Sequence, residues 1–388
     1  MAFSIVKLRN ILLVLMAIPF CGISQEKNVT VDPDSLDIHI GQMIMIGIGD
    51  RQKFDSNDSF LYNLEKGYVG GIILYEKNID RKSPKASLSG MISGYQQNAQ
   101  IPLFISIDEE GGRVNRLKPK YGFLETKSAA DLAKFNSPDS TKKYTLNAVN
   151  NMYQIGINLN YAPDVDLAIN PDNPVIAKVE RSFGATAEEV IPMAKSVVEM
   201  HHLMGIGTVL KHFPGHGSSK SDTHFGVADV TDYWQFEELV PYKALLDSGV
   251  VDGIMTAHIV NENLDSRKLP ATLSDKVITG ILRDFLKFDG VVFSDDMQMH
   301  AISKQYGFEN AVKMAILAGV DVLMFANNVP GFENVTVRDL HGFIRKMVDE
   351  GEISSERIKE SFDRVMKLKA KTGLLDSDYR EALKQRLK

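Results

Sequence analysis

The sequence predicts a single (β/α)8 barrel of the TIM type, an α/β fold with a C-terminal helix and no second domain. Eight short apolar runs recur along the 388 residues, and amphipathic helical stretches lie between them. The runs span residues 42–48, 69–75, 103–107, 157–162, 207–213, 253–258, 290–294 and 320–326. Such runs are typical of parallel strands that helices cover on both faces. An open doubly wound sheet is the alternative, but its glycine fingerprint is missing after the first run.

The clearest helical stretches lie in the second half of the chain. We predict helices over residues 186–204, 274–285, 310–319, 335–350 and 354–371. Ser274 is the expected N-cap of the second of these, because a serine hydroxyl accepts a hydrogen bond from the first helical turn. Residues 374–388 are predicted to form a charged tail after the barrel, which is predicted to span residues 38–373.

The N-terminus has the pattern of a secretory signal. Lys7 and Arg9 precede an apolar run over residues 11–20, and small residues follow up to Ser24. Ten apolar residues are too few to span a bilayer comfortably, and a buried first helix is the alternative. We predict a signal peptide over residues 1–24, a linker over 25–37, and export to the periplasm or the medium. A lipoprotein acylated at Cys21 is less favoured, because the bulky Phe20 precedes the cysteine.

Composition limits the possible partners. Hydrophobic residues make up 44% of the chain, which is ordinary for a soluble globular protein. The net charge of -6 argues against nucleic acid, because phosphate binding needs a basic face. We expect a monomer with no stable membrane span after signal cleavage.

Polar side chains follow six of the apolar runs, at the point where each predicted strand ends. They are Asp108, Asp164, Lys211 with His212, His258, Asp295 with Asp296, and Asn327. In (β/α)8 barrels the chemistry gathers where the strands end, so these groups are expected to meet at one rim.

The loop after the fifth run, "KHFPGHGSSKSDTHFG", holds three of the nine histidines. A metal site, an acid/base device and a structural turn are the three possible explanations. Pro214 and Gly215 forbid the helix that would bring His212 and His216 together as zinc ligands, so we expect no metal. Asp222, two residues before His224, can hydrogen-bond the imidazole and raise its pKa, although such a pair is more often a local turn bond.

The pair Asp295-Asp296 in "FSDDM" is the second candidate for chemistry. Adjacent residues on a strand point to opposite sides, so only one of the two carboxylates is expected to face the barrel axis. The other is expected to serve as a helix N-cap.

Together these stretches resemble the family 3 glycoside hydrolases, and more narrowly their β-N-acetylglucosaminidase (β-N-acetylhexosaminidase) branch, the single-domain enzymes of peptidoglycan recycling. The resemblance rests on "KHFPGHG" with "SDTH", "FSDDMQM" and "IDEEGGRVNRL", supported by "GGIILY", "NLNYAPDVDL", "ERSFG", "MTAHI" and "LPATLS". It runs from about Ile40 to about Gly373.

The resemblance implies a role for each matching residue. Asp295 would be the nucleophile, and His224, tuned by Asp222, would be the general acid/base. The terminal sugar would be held by Asp108, Arg116, Arg181, Lys211 and His212. His216 is interpreted as part of the loop's architecture, and the glycines are expected to let the loop swing.

The implied activity is that of a retaining exo-glycosidase without a cofactor. It would release terminal β-linked N-acetylglucosamine from peptidoglycan fragments or related oligosaccharides through a covalent glycosyl-aspartate. The recycling enzymes of Gram-negative bacteria are cytoplasmic, whereas the predicted signal peptide favours work outside the cytoplasm. A family 3 β-glycosidase of other sugar specificity and an inactive sugar-binding barrel are the alternatives.

Overall fold

The computed structural model describes residues 35–221, 226, 228–329 and 334–387, and only the backbone of 303 and 304. The predicted signal peptide and all of the predicted linker except residues 35–37 lie outside the described residues. Asp222 and His224, the predicted acid/base pair, also lie outside them.

Eight parallel strands close into a barrel, which confirms the predicted fold class. In chain order they are β1 (Ile44–Gly47), β2 (Gly71–Leu74), β3 (Phe104–Ile107), β4 (Leu159–Asn160), β5 (Gly207–Phe213), β7 (Gly253–Thr256), β9 (Val291–Asp296) and β10 (Val322–Phe325). Each of these strands falls within, or within two residues of, one predicted apolar run. The short strands β6 (Ala228–Asp229) and β8 (Ile259–Val260) pair with each other outside the barrel.

Helices surround the barrel. They are α1 (Leu36–Gln42), α2 (Phe60–Glu65), α3 (Pro84–Asn98), α4 (Ala129–Ala133), α5 (Pro138–Ile155), α6 (Ala187–His202), α7 (Val240–Asp247), α8 (His300–Tyr306), α9 (Phe308–Ala318), α10 (Val337–Asp349), α11 (Ser355–Lys371) and α12 (Tyr379–Arg386). A π-type helix, Lys276–Phe285, precedes β9. As expected, Ser274 caps it, because the Ser274 hydroxyl accepts a hydrogen bond from Val277 N at 3.2 Å.

Side-chain spacing explains why these helices face the barrel. In α10, Val337, Leu340, Ile344 and Met347 recur every three or four residues and are all buried. This spacing places them on one helical face, whose burial stabilises the helix against the sheet. Thr336 begins the helix, and its hydroxyl accepts a hydrogen bond from Asp339 N at 3.2 Å.

The barrel interior is a packed core. It is filled by the inward side chains of the strands, among them Met45, Phe104, Leu159, Tyr161, Val209 and Phe293. The buried Lys369 of α11 reaches this core from the end where the strands begin, and its Nζ donates to Gln42 Oε1 at 2.7 Å. Because the interior is filled, a substrate can enter only at the opposite end of the strands.

The predicted charged tail contains α12. Tyr379 Oη accepts a hydrogen bond from Asn158 Nδ2 at 3.1 Å, and Leu383 is buried. Asn158 directly precedes β4, so α12 packs beneath the barrel, away from the ends where the polar groups gather. In the part of the chain that the structure describes, no helix is both long enough and apolar enough to cross a bilayer.

Candidate active site

A cavity of about 650 Å³ opens where the barrel strands end. Its polar lining, called the polar side below, consists of Tyr75, Asp108, Arg116, Arg181, Lys211, His212, Asp295 and Asp296. Its apolar lining, called the apolar side below, consists of Val114, Met255, Met299, Met324, Ala326 and Val329, and His300 and Asn328 also line the cavity. The structure thus brings together all the predicted substrate-binding residues and the predicted nucleophile. A cavity of this size and mixed lining suits a small polar ligand with apolar faces.

Lys211 contacts two carboxylates at the polar side of the cavity. Its Nζ lies 2.9 Å from Asp108 Oδ1 and 2.6 Å from Glu110 Oε1, and its side chain is 2% exposed. Burial alone would lower the pKa of Lys211, but the two carboxylates raise it. Burial would likewise raise the pKa of Asp108, whereas Lys211 and Arg116 lower it. Both groups therefore stay charged at neutral pH and are held in place before any ligand binds.

Arg181 is clamped on three sides. Its Nε and Nη2 each donate to a carboxylate oxygen of Glu110 at 2.8 Å, and its Nη1 donates to Val175 O at 2.9 Å. Arg181 Nε also lies 3.4 Å from Asp164 Oδ2. Against the effect of burial, Arg181 and Lys211 lower the pKa of Glu110, which remains ionised. This geometry fixes the plane of the guanidinium.

The protonation of His212 follows from its two neighbours. Its Nδ1 lies 2.7 Å from Asp166 Oδ2, and its Nε2 lies 3.1 Å from Arg181 Nη2. Burial and the nearby arginine lower its pKa to about 4, so the ring is neutral. A neutral ring has one N–H, which donates to Asp166, and its Nε2 accepts from Arg181. His212 is therefore fixed in one tautomer.

Asp295 and Asp296 at the end of β9 both border the cavity, but their carboxylates make different hydrogen bonds. Asp295 is half-buried, and its Oδ1 accepts a hydrogen bond from Asp296 N at 2.8 Å. Asp296 Oδ1 accepts from Gln298 N and Ala326 N, each at 3.1 Å. Asp296 thus joins the end of β9 to the end of β10, which differs from the expected helix N-cap. The pairing of these two strands shifts register here, so strict alternation of the side chains is interrupted.

Three residues of the predicted rim have structural contacts instead of lining the cavity. His258 is fully buried, and its Nε2 donates to Asp296 O at 3.0 Å. Asn327 Nδ2 donates to Gly47 O and Val335 O, each at 3.1 Å. Asp164 Oδ1 accepts from Asp166 N at 2.9 Å, and burial beside Asp166 raises the pKa of Asp164.

Two carboxylates of the site were missed by sequence reasoning. Glu110 bridges Arg181 and Lys211, and Asp166 holds His212 and accepts from His216 N at 2.7 Å. Each lies two residues after a residue that was singled out, on the same side of an extended segment. That two-residue spacing was the available signal.

His216 supports the loop, as interpreted from the sequence. It is buried, and its backbone oxygen accepts from Asn173 Nδ2 at 2.8 Å. The two glycines beside it are closely packed. A Cβ on Gly217 would lie 1.7 Å from Leu167 O, and a Cβ on Gly215 would lie 2.5 Å from Glu238 Cβ. These two glycines allow close packing, whereas no atom of the described residues lies within 4 Å of a Cβ placed on Gly226.

Among the described residues, one group of side chains could hold a metal ion. A ligand atom from each of Asp164, Asp166 and His212 lies within 4.8 Å of the others. In this structure Asp166 Oδ1 accepts from His216 N, Asp166 Oδ2 is bonded to His212 Nδ1, and Arg181 Nε lies 3.4 Å from Asp164 Oδ2. A positive group at this distance opposes the binding of a cation.

Comparison with known proteins assigns this site to a family. The model of the "Glycosyl hydrolase family 3 N terminal domain" matches residues 35–368. The chain belongs to glycosyl hydrolase family 3. It is therefore a glycoside hydrolase built on a (β/α)8 barrel, as the sequence predicted.

Relatives within family 3 carry hexosaminidase names. The chain is 32% identical over 266 residues to "Beta-hexosaminidase" of Tolumonas auensis, covering 68% of this chain and 77% of the relative. It is 30% identical over 323 residues to "Beta-hexosaminidase A" of Pseudoalteromonas piscicida, covering 78% of this chain. The chain spans only about half (53%) of that second relative.

A solved structure agrees with the fold. The family 3 β-N-acetylglucosaminidase of Paenibacillus sp. str. FPU-7 is 31% identical with a TM-score of 0.79. The match covers 91% of this chain and 68% of the Paenibacillus chain.

Proposed function

We propose that this family 3 glycoside hydrolase is a retaining β-N-acetylhexosaminidase that releases terminal β-linked N-acetylglucosamine. The observation that carries the proposal is the cavity in which Asp295 faces a fixed set of charged groups, Asp108, Lys211 and Arg181. Such a set can hold the hydroxyls of one terminal sugar while a carboxylate approaches its anomeric carbon. The names of the relatives support N-acetylglucosamine as that sugar.

In the first step Asp295 is the nucleophile. One of its carboxylate oxygens attacks the anomeric carbon, the bond from that carbon to the glycosidic oxygen breaks, and a glycosyl-aspartate ester forms. His224, paired with Asp222, gives its proton to the departing oxygen, so the aglycone leaves as a neutral alcohol. Lys211 and Arg181 stay protonated beside their carboxylates, so they orient the sugar and do not donate the proton themselves.

In the second step water releases the sugar. His224, now neutral, takes a proton from a water molecule, whose oxygen attacks the anomeric carbon and frees the Asp295 carboxylate. Two inversions give net retention of the β configuration. Binding of the sugar relies on side chains that are already hydrogen-bonded, so little rearrangement is needed on the polar side of the cavity.

The substrate class is a further part of the proposal. Peptidoglycan fragments or related N-acetylglucosamine oligosaccharides would place the terminal sugar in the cavity and the aglycone outside it. The apolar side, with Met299, Met324 and Val329, offers contact area for the apolar parts of the sugar. We also propose that the protein is exported and acts as a monomer in the periplasm or the medium. Cell fractionation and light scattering of the purified protein test these two points.

Matched chromogenic substrates test the activity. We expect 4-nitrophenyl β-glycosides of N-acetylglucosamine to give a higher kcat/KM than those of glucose or N-acetylgalactosamine. Preference for glucose would indicate a family 3 β-glycosidase of other specificity. Binding of the sugar without turnover of any substrate would indicate an inactive sugar-binding barrel. NMR of the first product formed should show the β anomer, and initial release of the α anomer would contradict the glycosyl-aspartate.

A further inference from the structure

The loop that carries Asp222 and His224 is held at its start by a buried carboxylate on another segment. Glu238 lies in the 3-10 turn Phe236–Leu239 that leads into α7 and is 1% exposed. Its Oε2 accepts hydrogen bonds from Gly217 N at 2.9 Å and Ser218 N at 3.3 Å. Glu238 therefore fixes the backbone of a segment about 20 residues earlier in the chain.

The same stretch is held from the opposite side through its carbonyl groups. Asn173 Nδ2 donates to His216 O at 2.8 Å and to Gly217 O at 3.0 Å. Trp234 Nε1 donates to Pro214 O at 3.2 Å. With its amides bonded to Glu238 and its carbonyls bonded to Asn173, the start of the loop has both sets of backbone groups satisfied.

Packing adds to these hydrogen bonds. Residues 213–219 are all buried, although they form a turn and not a strand after Phe213. Gly215 has a φ of +123°, and a Cβ there would lie 2.5 Å from Glu238 Cβ. The glycine therefore lets the Glu238 side chain approach the backbone, which an alanine would prevent.

The other end of the loop is also attached to the barrel. Ala228 and Asp229 pair with Ile259 and Val260, just after β7. Lys220 Nζ lies 3.5 Å from the centre of the Tyr233 ring. In the sequence, Asp222 and His224 fall between these two attached segments. A shift of either segment would therefore move an end of the stretch that carries them.

We infer that Glu238 is a positioning residue for the acid/base step, which it serves by fixing the start of the loop that carries His224. The inference rests on the proposed function. A general acid must come within hydrogen-bond reach of the glycosidic oxygen, so a displaced loop slows proton transfer. Glu238 also accepts a hydrogen bond from Gln235 N at 3.4 Å. The alternative explanation is therefore that Glu238 only caps its own turn. The two roles predict different kinetics.

The test compares two leaving groups in Glu238→Ala and Glu238→Gln. Cleavage of N,N′-diacetylchitobiose needs an acid, whereas the 2,4-dinitrophenyl β-glycoside of N-acetylglucosamine forms the glycosyl-enzyme without one. We expect Glu238→Ala to lower kcat/KM for chitobiose by about tenfold or more, which is less than the loss expected when the general acid itself is removed. For the dinitrophenyl glycoside, kcat/KM should fall by less than about threefold. Glu238→Gln keeps one acceptor oxygen and should lose less. Glu237→Ala, at the exposed neighbouring carboxylate, is the matched control and should change neither value.

A second comparison separates positioning from a general loss of structure. In a His224→Ala background, Glu238→Ala should cause no further loss with chitobiose, because two residues acting through one step are not additive. Equal losses with both leaving groups, or additive losses in the double variant, would overturn the inference. If Glu238→Ala does not fold by circular dichroism, the same two comparisons are made with Glu238→Gln. Failure of the wild-type protein to cleave either substrate would instead contradict the proposed function.

Discussion

At the scale of single residues, replacing Asp295 and replacing His224 should have different effects on the kinetics. Asp295→Asn should abolish turnover of every substrate, because the glycosyl-enzyme can no longer form. His224→Ala should slow cleavage of a natural disaccharide by about a hundred to ten thousand times, because the leaving sugar must be protonated. An activated nitrophenolate leaves without that proton, so the intermediate should accumulate.

Rapid-mixing kinetics measure this difference. A burst of phenolate followed by a slow steady state is expected for His224→Ala with the activated substrate. Equal slowing of both leaving groups without a burst would show that His224 is not the acid/base, and the loop would then serve binding only.

Glu109 gives a second prediction at this scale, concerning stability. It is buried, its Oε2 accepts from Arg116 N at 2.8 Å, and its Oε1 has no hydrogen-bond partner among the described residues. Burial raises its pKa to about 7 from 4.5. The folded state therefore holds this proton over a range where the unfolded state has lost it. The contribution of Glu109 to the free energy of unfolding should therefore fall as pH rises from 4.5 to 7.

Glu109→Gln should remove this dependence. Relative to wild type, the variant should gain about 3 kcal/mol between pH 4.5 and pH 8, since each pKa unit corresponds to about 1.4 kcal/mol. Urea unfolding at several pH values measures the difference, with Glu188→Gln on the exposed face of α6 as the control. A constant difference across that range would contradict a raised pKa.

At the scale of elements, α12 should contribute stability without contributing to the site. Leu383 is 2% exposed and packs beneath the barrel, at the end opposite the cavity. Leu383→Ala should lower the free energy of unfolding by about 2–4 kcal/mol through the lost contacts and the cavity left behind. The exposed Gln385→Ala is the control. A changed KM in the Leu383 variant at a temperature where it is folded would show that α12 also affects the site.

At the scale of the whole molecule, turnover should not depend on a metal ion. The nucleophile and the acid need no Lewis acid, and Arg181 lies beside the candidate ligands Asp164, Asp166 and His212. Treatment with a chelator should leave kcat/KM unchanged. Loss of activity that zinc restores would instead assign Asp164, Asp166 and His212 to a metal site.

Much of this molecule was predictable from local patterns. The eight strands, the main helices and the cap at Ser274 follow from apolar spacing and from the short-range bonds of a helix end. Motif resemblance also identified six residues that line the cavity, because a parallel barrel brings its strand ends to one rim; they are Asp108, Arg116, Arg181, Lys211, His212 and Asp295. The helix α12 was missed because its few buried positions, such as Leu383, lie within a mostly charged segment.

The sequence by itself therefore determined the fold class, the family and the residues of the rim. Only the tertiary structure decided which of those residues face the cavity and which support it. The roles of three carboxylates depend on partners 20 or more residues away in the sequence. Glu110 binds Arg181, Asp166 accepts from His216 N, and Glu238 accepts from Gly217 N. The physical reason is that a buried carboxylate is defined by the donors and charges that folding brings to it, and sequence spacing does not encode those long-range contacts.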